Sequence, residues 1–422
     1  MNEYDSELVA GLLEKENYIR AESSAEAQLI LLNTCSVREH AEEKIHARLS
    51  NLKVFKDRDP EVQIGVLGCM AQNLKEELLE SKPYVDVILG PDSYRRLPGM
   101  LSKSKDSSPN TIDTKLSRME VYEDLFPARR EGINAWVSIM RGCDKFCTFC
   151  IVPFTRGRER SRSISSVVEE VRQIKEDGFK EVTLLGQNVN SFNHEGHRFH
   201  ELLLEVANID GIDRIRYTSP HPQDFDDDLL RIHTKNKKIC NHIHFPLQAG
   251  SDSVLHRMNR TYTRQHFLDM ARRMRAEIPG VALSTDMIVG FPGETEADFQ
   301  ETLDVMRQVQ FDTAFTFKYS PRPGTKAAEF QDSVPDGEKQ DRLERMIALQ
   351  KEHTLFRNKA LIGATEEILV EKNSKKSKKQ HQGRTRSNKI VIFDKAGEKP
   401  GDIVNVKITD AQGITLFGHI VN

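Results

Sequence analysis

The sequence predicts an α/β protein in three parts: an amino-terminal parallel α/β domain, a central open (β/α)6 barrel, and a small antiparallel β-barrel at the carboxyl end. Three observations lead there. The 422 residues exceed what one core ordinarily serves, since domains tend to split beyond about 250 residues. Over most of the length, short apolar runs alternate with amphipathic stretches, the rhythm of a parallel sheet covered by helices. After residue 361 that rhythm gives way to short β-type runs punctuated by Gly and Asp.

In the first part, strands are expected at 29–32, 64–67 and 85–89, with helices at 37–52 and 71–79 between them, a βαβαβ order. Residues 101–113 turn to Ser, Lys, Asp, Pro and Asn and read as a surface linker. Alternation resumes at Trp136–Met140, and further strands are expected at 182–185, 214–218, 242–245, 281–289 and 313–318. Helical patterns at 163–177, 263–277 and 295–308 separate several of them. A parallel barrel of this kind carries its ligands at the carboxyl ends of the strands. One long amphipathic helix spans 338–361, followed by β-type runs at 367–370, 389–393, 403–408 and 414–421. The domains are therefore drawn at 1–120, 126–358 and 359–422.

Composition is that of a globular chain, 38% hydrophobic and 30% charged, and no apolar run approaches the roughly 18 to 20 residues of a membrane span. The opening Met1–Glu7 is acidic and unlike a secretory signal, so a cytoplasmic protein is expected. Six cysteines in uneven groups make a poor disulfide framework and point to metal instead. The net charge of −3 conceals a stretch, Lys372 to Lys389, with eight Lys or Arg and no acid.

Cys143, Cys147 and Cys150 stand as C-x3-C-x2-C directly after a predicted strand. Three soft thiolates so spaced can hold three corners of a 4Fe–4S cluster and leave the fourth iron open to a ligand. Zinc is the rival reading, but a structural zinc site wants four ligands, and no fourth Cys or His follows in the local loop. Close by, Arg156-Gly157-Arg158-Glu159-Arg160-Ser161-Arg162 is dense in charge; it reads either as a solvated loop or as a contact for phosphate or carboxylate.

The cysteine triad, with Phe149 before its last member, resembles that of the radical S-adenosylmethionine (SAM) superfamily. Asn33–Glu39, Gly68–Gln72, Gly186–Val189, Phe245–Ser251, Tyr319–Thr325 and Gly383–Arg386 narrow the resemblance to the methylthiotransferase family, and they cover nearly the whole chain. The Met1–Glu7 and Pro-Arg-Pro-Gly-Thr blocks resemble the branch of that family that acts on tRNA.

The resemblance implies a radical SAM cluster on Cys143, Cys147 and Cys150, with SAM on its open iron, and catalysis by that centre. It implies a second 4Fe–4S cluster on the amino-terminal domain, where only Cys35 and Cys69 match the family's three ligands. The family's first cysteine falls two residues before Met1, so the chain is expected to begin at an internal methionine and to lack a strand with its ligand; the alternative is a cluster on two thiolates. Polar residues at strand ends, Gln187, Asn188, Ser219, Gln248 and Asp286, are the expected SAM contacts, although each alone also suits a cap or loop hydrogen bond. Cys240, His242 and His244 are expected to be structural.

The terminal barrel resembles the TRAM domain, with Lys375, Lys376, Lys378, Lys379, Arg384 and Arg386 as the expected RNA contacts. The implied function is conversion of N6-isopentenyladenosine at tRNA position 37, beside the anticodon, to its 2-methylthio derivative. It calls for an electron donor and a sulfur source of unstated identity, in a chain acting as a monomer. The alternatives are methylthiolation of a ribosomal protein aspartate or of threonylcarbamoyl adenosine, and an RNA-binding protein whose cluster is structural. Against a ribosomal protein stands the barrel's charge, twelve basic residues to seven acidic over 359–422.

Overall fold

A computed structural model describes residues 1–36, 39–105, 110–129 and 132–421 of the protein. Two compact units make it up, the first from residues 1–130, 138–146 and 150–166, the second from 131–137, 147–149 and 167–422.

In the first unit, β1 (Leu29–Thr34), β2 (Gln63–Gly68), β3 (Val87–Leu89) and β4 (Thr111–Asp113) form a parallel sheet in chain order. β2 is buried at every residue, as a continuous apolar run on a two-sided parallel strand should be. Helices Glu39–Arg58 and Cys69–Ser81 cross between strands, and Leu49, Leu52, Ile64, Val66, Met70, Leu78 and Ile88 close the core. The start of the first expected helix, residues 37–38, lies outside the described residues.

Two elements depart from expectation. The stretch expected as linker contains the end of helix Leu97–Lys105 and the strand β4, which pairs with β3 through Val87 and Thr111; residues 106–109 lie outside the described residues. Three residues are too few to show a period, and only an existing sheet edge makes them a strand. The acidic opening is a helix, Asn2–Lys15, that buries Tyr4, Asp5, Leu8 and Val9.

In the second unit, β5 (Asn134–Ser138), β6 (Glu181–Leu185) and β7 (Arg214–Tyr217) form one sheet, and β8 (His242–His244), β9 (Ala282–Val289) and β10 (Thr313–Lys318) another, each in chain order. The resolved pairings are parallel. A lone parallel bridge, Ile215 to Ile239, joins β7 to the approach of β8, so six strands follow one another as the sequence predicts. The intervening helices start on side-chain caps: Asp226 accepts from the Leu229 amide, Thr263 from that of His266, and Thr295 forms a capping box with Asp298.

Helix Asp336–Lys359 leads into a closed barrel of β11 (Thr365–Asn373), β12 (Gln380–Thr385), β13 (Ile390–Asp394), β14 (Ile403–Gln412) and β15 (Thr415–Ile420), ordered β11-β12-β13-β15-β14. Its pairs are antiparallel except β13 with β15, which are parallel. Ile368, Val370, Val391, Phe393, Val406, Ile408 and Leu416 fill it. β12 falls inside the stretch read only as basic, because its inward residues are His381, Gly383 and Thr385 rather than apolar ones.

Charged hydrogen bonds fasten the barrel to the strands. Arg214 donates to the carbonyls of Arg384 (2.8 Å) and Glu367 (2.9 Å), and Arg216 to those of Thr385 and Arg386 (3.0 Å each). Arg386 donates back to the carbonyls of Lys237 and Ile239, and Lys389 reaches Asp312 (2.7 Å) and Asn358 (2.8 Å). Among the described residues no helix is long and apolar enough to cross a membrane.

Candidate functional site

Cys143, Cys147 and Cys150 lie on the loop between the short strand Met140–Arg141 and helix Val152–Arg156; none is in a disulfide, and each is half-buried. The loop is entered through Gly142 at φ +81°, where an added Cβ would stand 2.0 Å from the Arg158 carbonyl oxygen. Only glycine tolerates that approach. On the first unit's side, the Cys143 amide donates to the Gly157 carbonyl at 3.1 Å.

On the second unit's side, Thr148 is stitched at three points. Its amide donates to the Met258 carbonyl (3.0 Å), its hydroxyl to that of Arg257 (2.8 Å), and its carbonyl accepts from Ala327 (2.8 Å). Arg260 aims Nη1 at the Cys147 sulfur (3.3 Å) while Nε donates to the Tyr262 hydroxyl (3.1 Å) and Nη2 to the Pro246 carbonyl (3.3 Å). No sequence signal announces this contact, since 113 positions separate the two residues. Among the described residues no three His, Cys, Asp or Glu groups converge as single-ion ligands. Three cysteines outside any disulfide on one loop, one facing an arginine, are a donor set suited to an iron–sulfur cluster.

Of the five expected cofactor contacts, two pairs come together. Gln187 and Ser219 follow β6 and β7, whose ends are in register at Leu184 and Tyr217. Among the described residues Gln187 Oε1, shut from solvent, has no hydrogen-bond partner, the signature of a group awaiting a donor. Gln248 and Asp286 are bound through the backbone, Gln248 donating to the Asp286 carbonyl at 2.8 Å, with Gln248 and Ser219 both at positive φ. Asn188 is committed elsewhere: Nδ2 donates to Asp224 (2.8 Å) and Oδ1 accepts from the His221 amide (3.2 Å).

His242 and His244 share the Ser284 hydroxyl at 3.0 Å each, and His244 Nε2 lies 3.1 Å from Asp286 Oδ2. Burial pushes His242 down to about 3, so it is neutral. Cys240 is buried, its thiol pushed up by that burial.

In the first unit, Thr34 pairs with Gly68 in the parallel register, which sets Cys35 and Cys69 side by side at the ends of β1 and β2. Cys69 opens helix Cys69–Ser81 behind Gly68, at φ +92°, where a Cβ would meet the Thr34 carbonyl oxygen at 2.5 Å.

The arginine-rich segment is neither a solvated loop nor a phosphate contact along most of its length. Arg156, Arg160 and Arg162 are buried, and only Arg158 is exposed, paired with Asp144 at 2.6 Å. Arg156 donates to Asp5 Oδ2 at 2.7 Å, Arg141 to Asp5 Oδ1 at 3.0 Å, and Arg160 to Asp92 at 2.9 Å. Burial alone would push the Asp5 carboxyl up, but Arg141 and Arg156 together hold it below the usual carboxylate range.

Among the expected RNA contacts, Lys375, Lys376, Lys378 and Lys379 are exposed on the turn between β11 and β12. Arg384 is instead paired with Glu371 at 2.8 Å and bonded to Asn388, and Arg386 is spent on docking the barrel.

Comparison with known proteins matches the Radical SAM superfamily at residues 137–306, the uncharacterized protein family UPF0004 at 1–90 and the TRAM domain at 359–421. A tRNA-2-methylthio-N(6)-dimethylallyladenosine synthase of Porphyromonas gingivalis strain W83 is 48% identical over 431 residues, covering 100% of this chain and 93% of that one. Proteins of the same name from Chloroherpeton thalassium (46%; 99% and 93% covered) and Syntrophomonas wolfei (45%; 100% and 96% covered) are similar to it as well. Among solved structures, the radical SAM methyltransferase TsrM of Kitasatospora setae, with cobalamin and a 4Fe–4S cluster, shares the fold at TM-score 0.57 and 15% identity over 77% of this chain and 74% of that one. Membership of the Radical SAM superfamily implies a 4Fe–4S cluster and SAM as cofactors. With near-half identity along its full length to synthases of one name, the chain belongs to the tRNA-2-methylthio-N(6)-dimethylallyladenosine synthase family of radical SAM methylthiotransferases.

Proposed function

We propose that the chain inserts sulfur and a methyl group at carbon 2 of N6-isopentenyladenosine-37 in tRNA. The observation that carries this reading is the 48% identity across the whole chain to a synthase of that name. Carbon 2 of adenine has no acidic proton, so acid–base groups cannot functionalise it. The cluster, when bound with SAM, supplies the one-electron chemistry that takes a hydrogen from such a carbon.

The protein's own residues do the rest. Cys143, Cys147 and Cys150 hold the radical cluster, and Arg260 steadies the Cys147 sulfur. Gln187, through its free Oε1, and Ser219, Gln248 and Asp286 bind SAM at the strand ends, with His244 holding one Asp286 oxygen. Asn188 shapes the same end by anchoring Asp224 and His221 rather than by touching the ligand. Lys375, Lys376, Lys378 and Lys379 take tRNA phosphates. Arg384 and Arg386 support that surface from beneath. Cys35 and Cys69 supply two ligands of a second cluster, where the family has three. The protein works in the cytoplasm as a monomer, drawing electrons and sulfur from other components of the cell.

Iron and sulfide analysis after anaerobic reconstitution tests the cluster assignment. About eight irons per chain, falling to about four in Cys143→Ala, means that two clusters assemble; about four, lost in that variant, means that only the radical cluster does. Cys143→Ala is expected to abolish formation of 5′-deoxyadenosine from SAM, which a merely structural cluster never supports. Nucleoside mass spectrometry of tRNA from cells relying on this gene product should show 2-methylthio-N6-isopentenyladenosine. A methylthiolated threonylcarbamoyl adenosine, or a modified ribosomal protein alone, overturns the assignment.

A further inference from the structure

Parallel barrels ordinarily close their interiors with their own side chains, and the central barrel of this chain leaves an aromatic wall open. Phe245, Phe267, Phe291, Phe299 and Phe311 of the second unit are 0% exposed, whereas Phe315, on β10, keeps 48% of its surface. Its place on the strand fixes where that surface points. Ala314 and Thr316 line a groove with Ile347 and Gln350 of helix Asp336–Lys359, so alternation turns Phe315 and Phe317 to the opposite, inner face. Asp286 and Ile288 of β9 stand beside them, in register at Asp286–Phe315 and Ile288–Phe317. His244, bonded to Asp286, meets the Phe315 ring edge-on at 6.0 Å, which places these three side chains on one face. Ile288 and Phe317 are half-buried. A lone apolar residue open on an outer surface is ordinary. Three at adjoining register positions on an inner face, next to a proposed SAM contact, make a packing layer that an apolar ligand completes.

We propose that this wall receives the nucleoside to be modified: Phe315 stacks on the adenine, and Ile288 and Phe317 pack against its N6-isopentenyl group. This rests on the reading that N6-isopentenyladenosine in tRNA is the substrate. Chemistry selects the occupant. The hydrogen leaves a carbon of a flat, uncharged ring that must lie beside SAM, and Phe315 is one strand, about 4.8 Å, from Asp286. An aromatic face stacks on any base, so Phe315 supplies affinity without choosing among adenosines. The apolar pair beside it supplies the choice, because it gains contacts from the isopentenyl group alone. His244 is a positioning residue. Ser284 and Asp286 take its two ring nitrogens, at 3.0 and 3.1 Å, so it holds the Phe315 ring rather than reading the base.

The test measures equilibrium binding of an anticodon stem-loop RNA to the reconstituted full chain with SAM present, the RNA carrying N6-isopentenyladenosine or plain adenosine at position 37. The unaltered chain should prefer the isopentenyl form. Phe315→Ala should weaken both RNAs about tenfold to hundredfold, and Phe315→Trp, which keeps an aromatic face, should restore them. Phe317→Ala should weaken the isopentenyl RNA alone, lowering the preference about tenfold. If Phe317→Ala does not fold, Ile288→Val takes its place, with a change in the same direction. Affinities and preference unchanged in every variant overturn the proposal and leave the substrate standing. Equal binding of the two RNAs by the unaltered chain also overturns it, and if the isopentenyl RNA then yields no 2-methylthio product, the substrate reading falls as well.

Discussion

Two basic segments of this chain look alike in sequence and have opposite fates. Residues 156–162 hold four arginines, three of them buried against Asp5, Asp92 and backbone carbonyls; residues 375–379 hold four lysines, all exposed. The residue type carries the difference. A guanidinium is weakly hydrated and presents a rigid fork that carboxylates and carbonyls can satisfy, whereas an ammonium is strongly hydrated and stays in water. Charge density therefore does not identify a nucleic-acid surface until the partners are known.

The largest effect that would break this comparison is expected from Asp5→Ala. It leaves Arg141 and Arg156 buried without their shared carboxylate and should cost about 3–5 kcal/mol, read as lost hydrogen-exchange protection along β2. A cost below about 1 kcal/mol would mean that water already reaches these arginines.

Between the extremes stands a base that the fold buries with neither remedy. Among the described residues His233, 7% exposed, has one hydrogen-bond partner, the Tyr217 hydroxyl at 2.7 Å, and burial lowers it to about 3. Above pH 6.5 this costs nothing. As the pH falls below that value the unfolded chain takes a proton that the folded one refuses, and stability declines until about pH 3. Moving from pH 7 to pH 5 should cost about 2 kcal/mol from this group, followed by denaturation of the second unit at its single tryptophan, Trp136. His233→Gln should remove that increment; an undiminished pH dependence would place its source elsewhere.

The smallest stability change is expected from replacing Lys375, Lys376, Lys378 and Lys379 with Gln. Folding should shift by no more than about 0.5 kcal/mol, while the slope of log tRNA affinity against log salt should fall by about 3. An unchanged slope would remove these lysines from the RNA surface and erase the functional half of the comparison.

Much of this architecture was legible. The strands from β5 to β10 fall where alternating apolar runs place them, because parallel strands buried on both faces need such runs. Cys143, Cys147 and Cys150 could be put forward as a cluster site from the sequence because their spacing is local. What stayed hidden was non-local or lacked an apolar signature. Arg156 finds Asp5 across 151 positions and Arg160 finds Asp92 across 68, distances over which sequence carries no pairing signal. Strand β12 escaped because His381 and Gly383 stand where an apolar residue would mark an inward face. Arg384 and Arg386 looked like their lysine neighbours until Glu371 and the Ile239 carbonyl claimed them.

Docking of the terminal barrel by Arg214, Arg216, Arg386 and Lys389 has a mechanical meaning. A module joined by a flexible tether searches a volume and tolerates ligands of many lengths. One riveted to the strand framework at several points measures a span instead. The lysine turn stands at a set offset from the strand ends, so a polyanion gripped there presents to those ends only the unit that lies the right number of links away. If those lysines hold tRNA as proposed, the barrel would act as a ruler, adding length to the chemistry of the base as a source of selectivity.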